Sequence, residues 1–465
     1  MEMFRKKTEA DVEKDASNSG LKRKLTSFDL AALGIGSVVG TGIFVSTGQG
    51  AKLAGPAVII SFIVAAITSG LCALTYSELS SMFPVSGSTY SYSYIAFGEV
   101  VAWIIGWDLI LEYLVAAASV SSAWSGTLIG ILKDYNINLP FVLTNSPLTG
   151  GIVDLPAVII TAVVTWLLYV GVSESAKVNN IIVGLKICII LLFIFLGVSH
   201  INVANYHPFS PYGTKGIMSG AAIIFFTFIG FDAISTASEE TKNPKKDVPM
   251  GLMICLSVVV VLYLAVAFVL TGIVSFKQID VNNALPGALS HIGITWGSAI
   301  VGVGAVIGMI SSLLVTLYGQ IRIFMVMSRD GLLPNAFSKI NKNHSTPGLC
   351  TIITGIVTAL FAGFLPLNVI IELCNIGTLF AFVLVSLGVI VLRHTMPDVE
   401  RKFRCPGVPF TPILTIVFCL YLIANLPSVS WFRFAIWLLI GLVIYIFYGF
   451  KHSKERKRSN NASSR

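Results

Sequence analysis

The sequence carries little charge for its length. Asp, Glu, Lys and Arg make up 12% of the 465 residues, whereas 55% are hydrophobic, and the mean hydropathy is +0.83. Soluble domains carry about 25% charged residues. This composition therefore excludes an ordinary soluble domain.

Groups that catalysis or metal binding would need are also scarce or scattered. The six histidines are not clustered, and the seven cysteines show no CxxC or other metal-like spacing. Paired metal ligands, a nucleophile elbow and a P-loop are missing from the sequence. We therefore expect no enzymatic activity, no bound metal and no cofactor, and we expect structural roles for the thiols.

Long apolar runs dominate the sequence after residue 28. Residues 1–28 form a charged, polar tail without the short apolar core of a cleavable signal peptide. Twelve later runs are close to the length of about 20 residues that a membrane-spanning helix needs. They lie at about 30–50, 56–83, 97–132, 154–172, 178–200, 216–239, 249–275, 287–327, 349–365, 367–393, 409–427 and 431–450. The third and eighth exceed the bilayer thickness, so we expect them to tilt or to continue into a loop helix. The sequence thus predicts an all-α polytopic membrane protein with 12 transmembrane helices.

Lysine and arginine are distributed unevenly between the two sides of this topology. If the N-terminus is cytoplasmic, 25 of the 31 lie on the inside and five on the outside, with Lys186 inside a span. Cytoplasmic loops carry the excess of positive charge, so we expect a multi-pass plasma-membrane protein with both termini in the cytoplasm. The net charge of +8 follows from this bias and needs no nucleic acid partner. The basic tail also suits contact with the anionic lipids of the bilayer.

A glycine-rich stretch interrupts the first apolar run. Residues 34–42 read GIGSVVGTG, and each glycine costs a helix about 1 kcal/mol relative to alanine. Broken backbone at membrane depth is tolerated only beside protein or a watery cavity. A glycine-interrupted membrane helix therefore indicates a transporter's substrate site. The alternative is that the small residues only allow two helices to pack closely.

The sixth run is interrupted in a matching place. Residues 220–236 read GAAIIFFTFIGFDAIST, which puts Gly230, Asp232 and hydroxyl side chains at mid-membrane positions. An ionisable residue there is costly and therefore indicates a functional role. Runs 1 and 6 are five helices apart, as the two halves of a 5+5 inverted repeat require.

This spacing divides the chain into a transporter domain and two tails. A cytoplasmic N-terminal tail at 1–28 precedes a twelve-helix domain at 29–450, and a basic cytoplasmic tail occupies 451–465. Within the domain we expect repeat one at about 29–200, repeat two at about 214–394 and two additional helices at about 409–450.

Four motifs carry a resemblance to a known family. They are GIGSVVGTGIF on helix 1, PVSGSTYSY at 84–92, FFTFIGFDAISTASEETKNPKKDVP on helix 6 and its loop, and SRDGLLP at 328–334. The chain resembles permeases of the amino acid–polyamine–organocation superfamily over about residues 28–450, most of all the cationic amino acid transporter subfamily and its bacterial members. The resemblance implies the leucine-transporter-type fold, with a 5+5 inverted repeat and two appended helices. It also implies amino acid uptake by alternating access.

A broken helix offers partners for both charged groups of an amino acid. Its second half exposes unpaired N–H groups at a positive dipole end, and its first half exposes carbonyls at a negative end. We expect the substrate carboxylate against the amides of Val39, Gly40, Thr41 and Gly42, with the Thr41 hydroxyl either assisting or capping the second half-helix. We expect the substrate ammonium against the carbonyls of Ile35, Gly36, Phe226, Thr227 and Ile229.

Three further side chains are candidates for the site. By resemblance, Phe226 closes over the substrate, although Phe226 and Phe228 are equally suited to packing. By resemblance, Thr316 on helix 8 lies beside the substrate side chain, unless its hydroxyl only bonds back to its own helix. Glu112 and Asp108 share one face of helix 3 through their i, i+4 spacing. We take Glu112 as a candidate for a polar role, with a structural pairing as the alternative.

Lys186 lies near the middle of the fifth run, too deep to reach water comfortably from either end. Its ammonium needs oxygen partners, which the break in helix 1 supplies near Gly36 and helix 8 supplies as Ser311 and Ser312. In sodium-coupled relatives of this fold a sodium ion bridges these helices, and a lysine on helix 5 resembles the substitute in proton-coupled members. We therefore expect Lys186, Ser311 and Ser312 to couple transport to protons. A permanently charged structural contact is the alternative.

Together these features predict a secondary active transporter that imports L-amino acids by proton-coupled symport. An exchanger of amino acids or amines is the alternative, and a channel is a remote one because no filter motif is visible. The resemblance favours arginine, lysine or ornithine, but small neutral amino acids such as alanine fit at least as well. The sequence leaves open whether a small membrane protein or a second copy of the chain binds.

Overall fold

Helices make up nearly all of the part of the chain that the computed structural model describes. It describes residues 5–7, 23–134, 136–170, 176–281, 283–339 and 347–456. No β-strand occurs among these residues, which contain only the isolated bridges Leu25–Thr241 and Thr144–Asp154. Much of the two predicted tails lies outside the described ranges.

Seventeen α-helices follow one another along the described part of the chain. They are α1 (Ser27–Val38), α2 (Thr47–Ala54), α3 (Val58–Met82), α4 (Ser88–Ala96), α5 (Glu99–Asp134), α6 (Leu155–Val170), α7 (Ala176–Val198), α8 (Gly213–Ile224), α9 (Ala233–Thr236), α10 (Pro244–Ile273), α11 (Ala284–His291), α12 (Thr295–Arg329), α13 (Gly348–Phe364), α14 (Leu367–Thr395), α15 (Phe410–Ala424), α16 (Ser428–Ile444) and α17 (Phe450–His452).

Eight helical segments of the described chain are long and apolar enough to cross a membrane. They are Gly42–Met82, Glu99–Lys133, Asn179–Val198, Gly213–Thr236, Pro244–Ile273, Thr295–Arg329, Leu367–Thr395 and Ser428–His452. Four shorter apolar helices accompany them, namely α1, α6, α13 and α15. Each of the twelve runs predicted from the sequence overlaps a helix, and the overlong eighth run is divided into α11 and α12. The chain is therefore an all-helical, multi-pass membrane protein.

The first apolar run is a broken helix. α1 begins with a capping box, in which the Asp29 amide donates to the Thr26 hydroxyl and the Thr26 amide donates to the Asp29 carboxylate. It ends at Val38, because the next residue, Val39, leaves helical geometry at φ −77° and ψ 82°. The chain then resumes as a π-helical turn, Gly42–Ser46, that leads into α2. The glycine-rich stretch thus contains the break.

The sixth run is broken as well. α8 gives way to a 3-10 turn at Phe225–Phe228, and Ile229 is extended with φ −64° and ψ 141°. Gly230 follows at φ +109°, a conformation that residues with a side chain rarely adopt. The helix resumes only as the short α9.

The two broken helices lie within a framework of longer helices. α1 packs against α7 and α10, while α5 packs against both α12 and α14. The buried apolar side chains of these helices form a core that extends across the molecule. This arrangement brings α1, α5, α12 and the break that precedes α9 around one central cavity.

Candidate functional site

The two helix breaks are in direct contact. A Cβ atom built on Gly42 would lie 2.5 Å from the Thr227 Cα, so even a methyl group does not fit. A Cβ on Gly230 would lie 2.6 Å from the Ser37 Oγ of α1. Close helix packing, the alternative interpretation of the glycines, therefore applies at these positions, and it brings together the two places where an α-helix is interrupted.

A cavity of about 40 Å³ lies against these breaks. One water molecule needs about 10–15 Å³ on such a measure, so the cavity admits a few waters or a small polar ligand. Its lining residues come from both breaks, from α5 and from α12. They are Ser37, Val38, Thr41, Gly42, Glu112, Tyr113, Ala116, Val120, Phe226, Ile229, Gly230, Asp232 and Thr316.

Two polar atoms of the cavity wall have no hydrogen-bond partner among the described residues. They are the Thr41 Oγ1 and the Glu112 Oε2. The side chain of Thr41 does not cap the half-helix that follows it, so the capping interpretation does not account for this hydroxyl. A buried polar group without a partner costs about 1–3 kcal/mol. A ligand or water in the cavity can supply the missing contacts.

Two carboxyl groups lie in one part of the wall. Glu112 of α5 and Asp232, just before α9, both line the cavity and are 3% and 2% exposed. The Tyr113 hydroxyl donates to the Asp232 Oδ2 at 3.4 Å. The apolar part of the wall includes Ala116 and Val120, one and two turns along α5 from Glu112. The cavity thus offers oxygens for a cationic group beside an apolar surface.

Five of the ten residues predicted to bind substrate line this cavity, namely Thr41, Gly42, Phe226, Ile229 and Thr316. Glu112, the candidate for a polar role on helix 3, lines it as well. The Thr316 hydroxyl donates back to the Ser312 carbonyl at 2.8 Å. Phe228 does not line the cavity and packs instead against Phe62 and Tyr263.

Five other predicted residues lie outside the cavity wall: Ile35, Gly36, Val39, Gly40 and Thr227. The Ile35 carbonyl accepts the Val39 amide at 2.8 Å. A Cβ on Gly40 would lie 2.9 Å from the Ser312 Oγ, so this glycine allows the close approach of α12. These residues shape the break behind the cavity.

Lys186 occupies a separate polar cluster behind the break. Its Nζ donates to the Gly36 carbonyl at 2.7 Å and to the Ser312 Oγ at 2.9 Å. The Ser312 hydroxyl also lies 2.9 Å from the Gly36 carbonyl and 3.3 Å from the Val39 carbonyl. α7, α1 and α12 are joined at this point. Ser311 does not take part, since its hydroxyl has no hydrogen-bond partner within the described ranges.

Sequence reasoning missed several lining residues. Ser37, Tyr113, Ala116 and Val120 were not predicted, and Asp232 was noticed as an intramembrane carboxylate without being assigned to the site. The signal for Asp232 was its place two residues after Gly230. Nothing in the apolar pattern of α5 distinguishes the face that carries Ala116 and Val120.

Two broken membrane helices that share a polar cavity define a secondary-transporter type of site. Comparison with known proteins agrees with this class. A family model described as "Amino acid permease" matches residues 25–450, so the chain belongs to this amino acid permease family, within the amino acid–polyamine–organocation superfamily.

Three similar proteins cover nearly the whole chain. The branched-chain amino acid permease BcaP of Bacillus subtilis (strain 168) is 48% identical over 97% of this chain and 98% of its own length. The methylthioribose transporter of the same organism is 45% identical with the same coverage. The vacuolar cationic amino acid transporter 4 of Arabidopsis thaliana is 30% identical over 93% of this chain and 92% of its own length.

Proposed function

We propose that this protein imports L-amino acids across the plasma membrane by alternating access, as a proton-coupled symporter. The observation that carries the proposal is the cavity shared by the two helix breaks, with the unpartnered hydroxyl of Thr41 in its wall. The helix ends at such a site can bind both charged groups of a zwitterionic ligand, so neither group requires a charged side chain. Amino acid transport also agrees with the chain's family and with the names of several relatives.

The substrate carboxylate would lie at the start of the second half of helix 1. The N-terminal end of a helix carries partial positive charge and unpaired N–H groups, and the Thr41 hydroxyl would donate a further hydrogen bond. The ammonium would lie towards Phe226 and Ile229 at the other break. The Gly36 carbonyl already accepts from Lys186 and Ser312, so we assign it to the lysine and not to the substrate.

Lys186 would couple transport to protons. Its bonds to the Gly36 carbonyl and the Ser312 hydroxyl join the first half of helix 1 to its neighbours. A neutral lysine amine holds these oxygens less strongly than an ammonium does. Loss of the proton would therefore loosen α1 and favour its movement as the site opens to the cytoplasm. Ser312 serves as the second anchor of the same bridge.

The proposed topology has twelve membrane crossings and both termini in the cytoplasm. α1 and α2 would together form the first crossing, and α8 and α9 the sixth. Residues of about 29–200 and 214–394 would be inverted repeats, with the two last helices appended. Support comes from the two matching breaks and from the uneven distribution of lysine and arginine.

We propose a neutral aliphatic amino acid as the main substrate. The apolar surface around Ala116, Val120 and Ile229 suits a small aliphatic side chain, and the cavity is small. A relative at 48% identity is named a branched-chain amino acid permease. A cationic substrate is the second candidate, because Glu112 and Asp232 could bind a positively charged side chain.

The first test is uptake by purified protein in proteoliposomes. Radiolabelled alanine, valine, isoleucine, arginine and lysine are supplied with an inward proton gradient, with a sodium gradient, and with neither. The proposal expects accumulation of a neutral aliphatic amino acid under the proton gradient alone. A requirement for sodium would overturn proton coupling. Radiolabelled methylthioribose is supplied in parallel, and transport of this compound but of none of the amino acids would overturn the amino acid assignment.

A second experiment separates symport from exchange and from a channel. Liposomes are preloaded with unlabelled substrate, and uptake of labelled substrate is measured without any ion gradient. A carrier gives a transient overshoot, whereas a channel gives none. A symporter also accumulates substrate into liposomes that contain none when an external acid jump is applied. Uptake only into preloaded liposomes would instead establish the exchanger.

A further inference from the structure

Two buried carboxylates at one end of the helical bundle bind both ends of the described chain. Glu99 begins α5 and Asp330 directly follows α12, and they are 1% and 8% exposed. Neither lines the central cavity. We call this pair, Glu99 and Asp330, the acidic hub.

The N-terminal segment binds the hub through side chain and backbone. The Lys7 Nζ forms an ion pair with the Asp330 Oδ1 at 2.6 Å and lies 5.3 Å from the centre of the Tyr94 ring. The Glu99 amide donates to the Arg5 carbonyl at 2.9 Å. Lys7 is itself 7% exposed, so residues 5–7 are seated in the protein and do not merely lie on its surface.

The C-terminal segment binds the same two residues. The Ser453 hydroxyl donates to the Glu99 Oε2 at 2.5 Å, and the Tyr445 hydroxyl donates to the Glu99 Oε1 at 2.9 Å. The Lys454 amide donates to the Asp330 carbonyl at 3.0 Å. Segments more than 400 residues apart in sequence thus meet at one site.

Helix α4 binds the hub along one side. The Tyr90 hydroxyl donates to the Asp330 Oδ2 at 2.6 Å, and the Tyr94 hydroxyl donates to the Glu99 Oε2 at 3.0 Å. The position of α4 therefore depends on both carboxylates, which the two terminal segments bind at the same time.

On its other side, α4 contacts the second half of the broken sixth helix. The Ser235 hydroxyl of α9 donates to the Ser88 Oγ at 2.8 Å. Just before α4, the Ser86 amide donates to the Glu239 carboxylate at 2.9 Å. α9 begins directly after Asp232, which lines the cavity. α4 therefore connects the hub to the second half of helix 6, which begins beside the cavity.

We propose that the acidic hub is a latch, in which the docked N- and C-terminal segments hold α4 and α9 in place and so keep the cavity closed on the cytoplasmic side. This inference rests on the proposed transport function and on cytoplasmic termini. Anything that withdraws residues 5–7 or 453–454 from the hub frees α4, and the second half of helix 6 then opens more readily. The tails thereby set the rate of transport without contacting substrate.

The test compares Lys7→Gln with Lys6→Gln. Lys7→Gln leaves Asp330 without its cation, whereas Lys6 is exposed and serves as the matched control. Hydrogen–deuterium exchange is measured in lipid nanodiscs for residues 86–96 and 233–240. We expect Lys7→Gln to speed exchange in both segments by about tenfold or more, because breaking a buried ion pair is strongly destabilising. Exchange equal to that of Lys6→Gln in both segments would overturn the latch.

A conservative variant guards against simple misfolding. Lys7→Arg keeps the positive charge beside Asp330 and leaves the contact between Tyr90 and Asp330 in place, and we expect exchange in both segments to stay close to the wild-type rate. Uptake kinetics give a second readout, in which Lys7→Gln changes the maximal rate and leaves KM within about twofold of wild type. A changed KM with unchanged exchange would overturn the latch. Hydrogen–deuterium exchange can be measured without transport, so it tests the latch alone. The proposed function is tested separately, and it would be overturned if the wild-type protein transported no amino acid.

Discussion

The Nζ of Lys186 lies 2.7 Å from the carbonyl oxygen of Gly36, at the point where the first helix is about to break. A charged group from a neighbouring helix therefore satisfies backbone that a continuous helix would have satisfied internally. Tyr263 provides a similar contact, since its hydroxyl donates to the Val38 carbonyl at 3.0 Å. The break is thus supported by side chains on the side away from the cavity.

Replacing Lys186 with alanine should abolish proton-driven accumulation. The substitution removes the titratable bridge between α7, α1 and α12 but touches no lining residue of the cavity. Substrate binding should therefore survive, with a Kd within about tenfold of wild type. Accumulation is measured in proteoliposomes after an acid jump, and binding by calorimetry. Lys215→Ala, an exposed lysine, is the control. Retained accumulation in Lys186→Ala would show that the lysine is only a structural contact.

Replacing Gly42 with leucine should abolish transport while the protein still inserts. A Cβ at this position already meets the Thr227 backbone at 2.5 Å, and backbone cannot move aside as a flexible side chain can. Gly70→Leu is the matched control, since no atom lies within 4 Å of its Cβ position. Uptake and membrane yield are measured for both variants. Normal uptake by Gly42→Leu would mean that contact between the two breaks is not needed for transport.

Changing the size of Thr316 should change which amino acids compete for uptake. Thr316→Ser enlarges the cavity and should favour longer substrates. Thr316→Met fills part of the cavity and should disfavour longer substrates. One methylene group is worth about 1.4 kcal/mol, or roughly tenfold in specificity. Thr316→Val keeps the size and tests the hydroxyl alone. Competition profiles are measured against the labelled main substrate, and identical profiles in all three variants would remove Thr316 from the site.

Replacing Glu78 with glutamine should destabilise the protein. The Glu78 carboxylate, at the end of α3, accepts from the Arg393 guanidinium at 2.6 and 2.8 Å, from Arg401 at 3.2 Å and from the Cys405 amide at 2.8 Å. Loss of this charge leaves the buried Arg401 without its carboxylate, at a cost of about 3 kcal/mol.

The comparison for Glu78 is an exposed ion pair. The Lys245 Nζ lies 3.8 Å from the Glu400 Oε2, and the two side chains are 29% and 66% exposed, so Glu400→Gln should cost less than about 1 kcal/mol. The midpoint of thermal unfolding in detergent is measured for both variants. Equal midpoints would show that burial does not strengthen the Glu78 contacts.

The helix breaks and the partners of Lys186 could be predicted from the sequence because each follows from local chemistry. Four glycines within GIGSVVGTG disfavour a helix wherever they occur, and a lysine deep in an apolar run must find oxygens. Its coupling role stays a prediction. The sequence alone could not show which of Ser311 and Ser312 bonds to Lys186. Neighbouring residues on a helix point in different directions, and only the packing determines which of them faces the lysine.

The lining of the cavity could not be predicted to the same extent. α5 is rich in apolar residues on all sides, so no periodicity identifies the face with Ala116 and Val120. Tyr113 and Asp232 meet across a tertiary contact between distant segments. Thr41 illustrates a further limit, since its sequence position suits a helix cap as well as it suits a substrate contact. Only the structure shows that its hydroxyl has no partner among the described residues.

The contact between Gly42 and Thr227 has a mechanical consequence. The gap between them does not admit a methyl group, so we expect the breaks in the first and sixth helices to be mechanically coupled. Bending at either position should therefore displace the other, so we expect the two sides of the cavity that we propose for the substrate carboxylate and ammonium to open and close together. A substrate would then be held by both breaks or released by both.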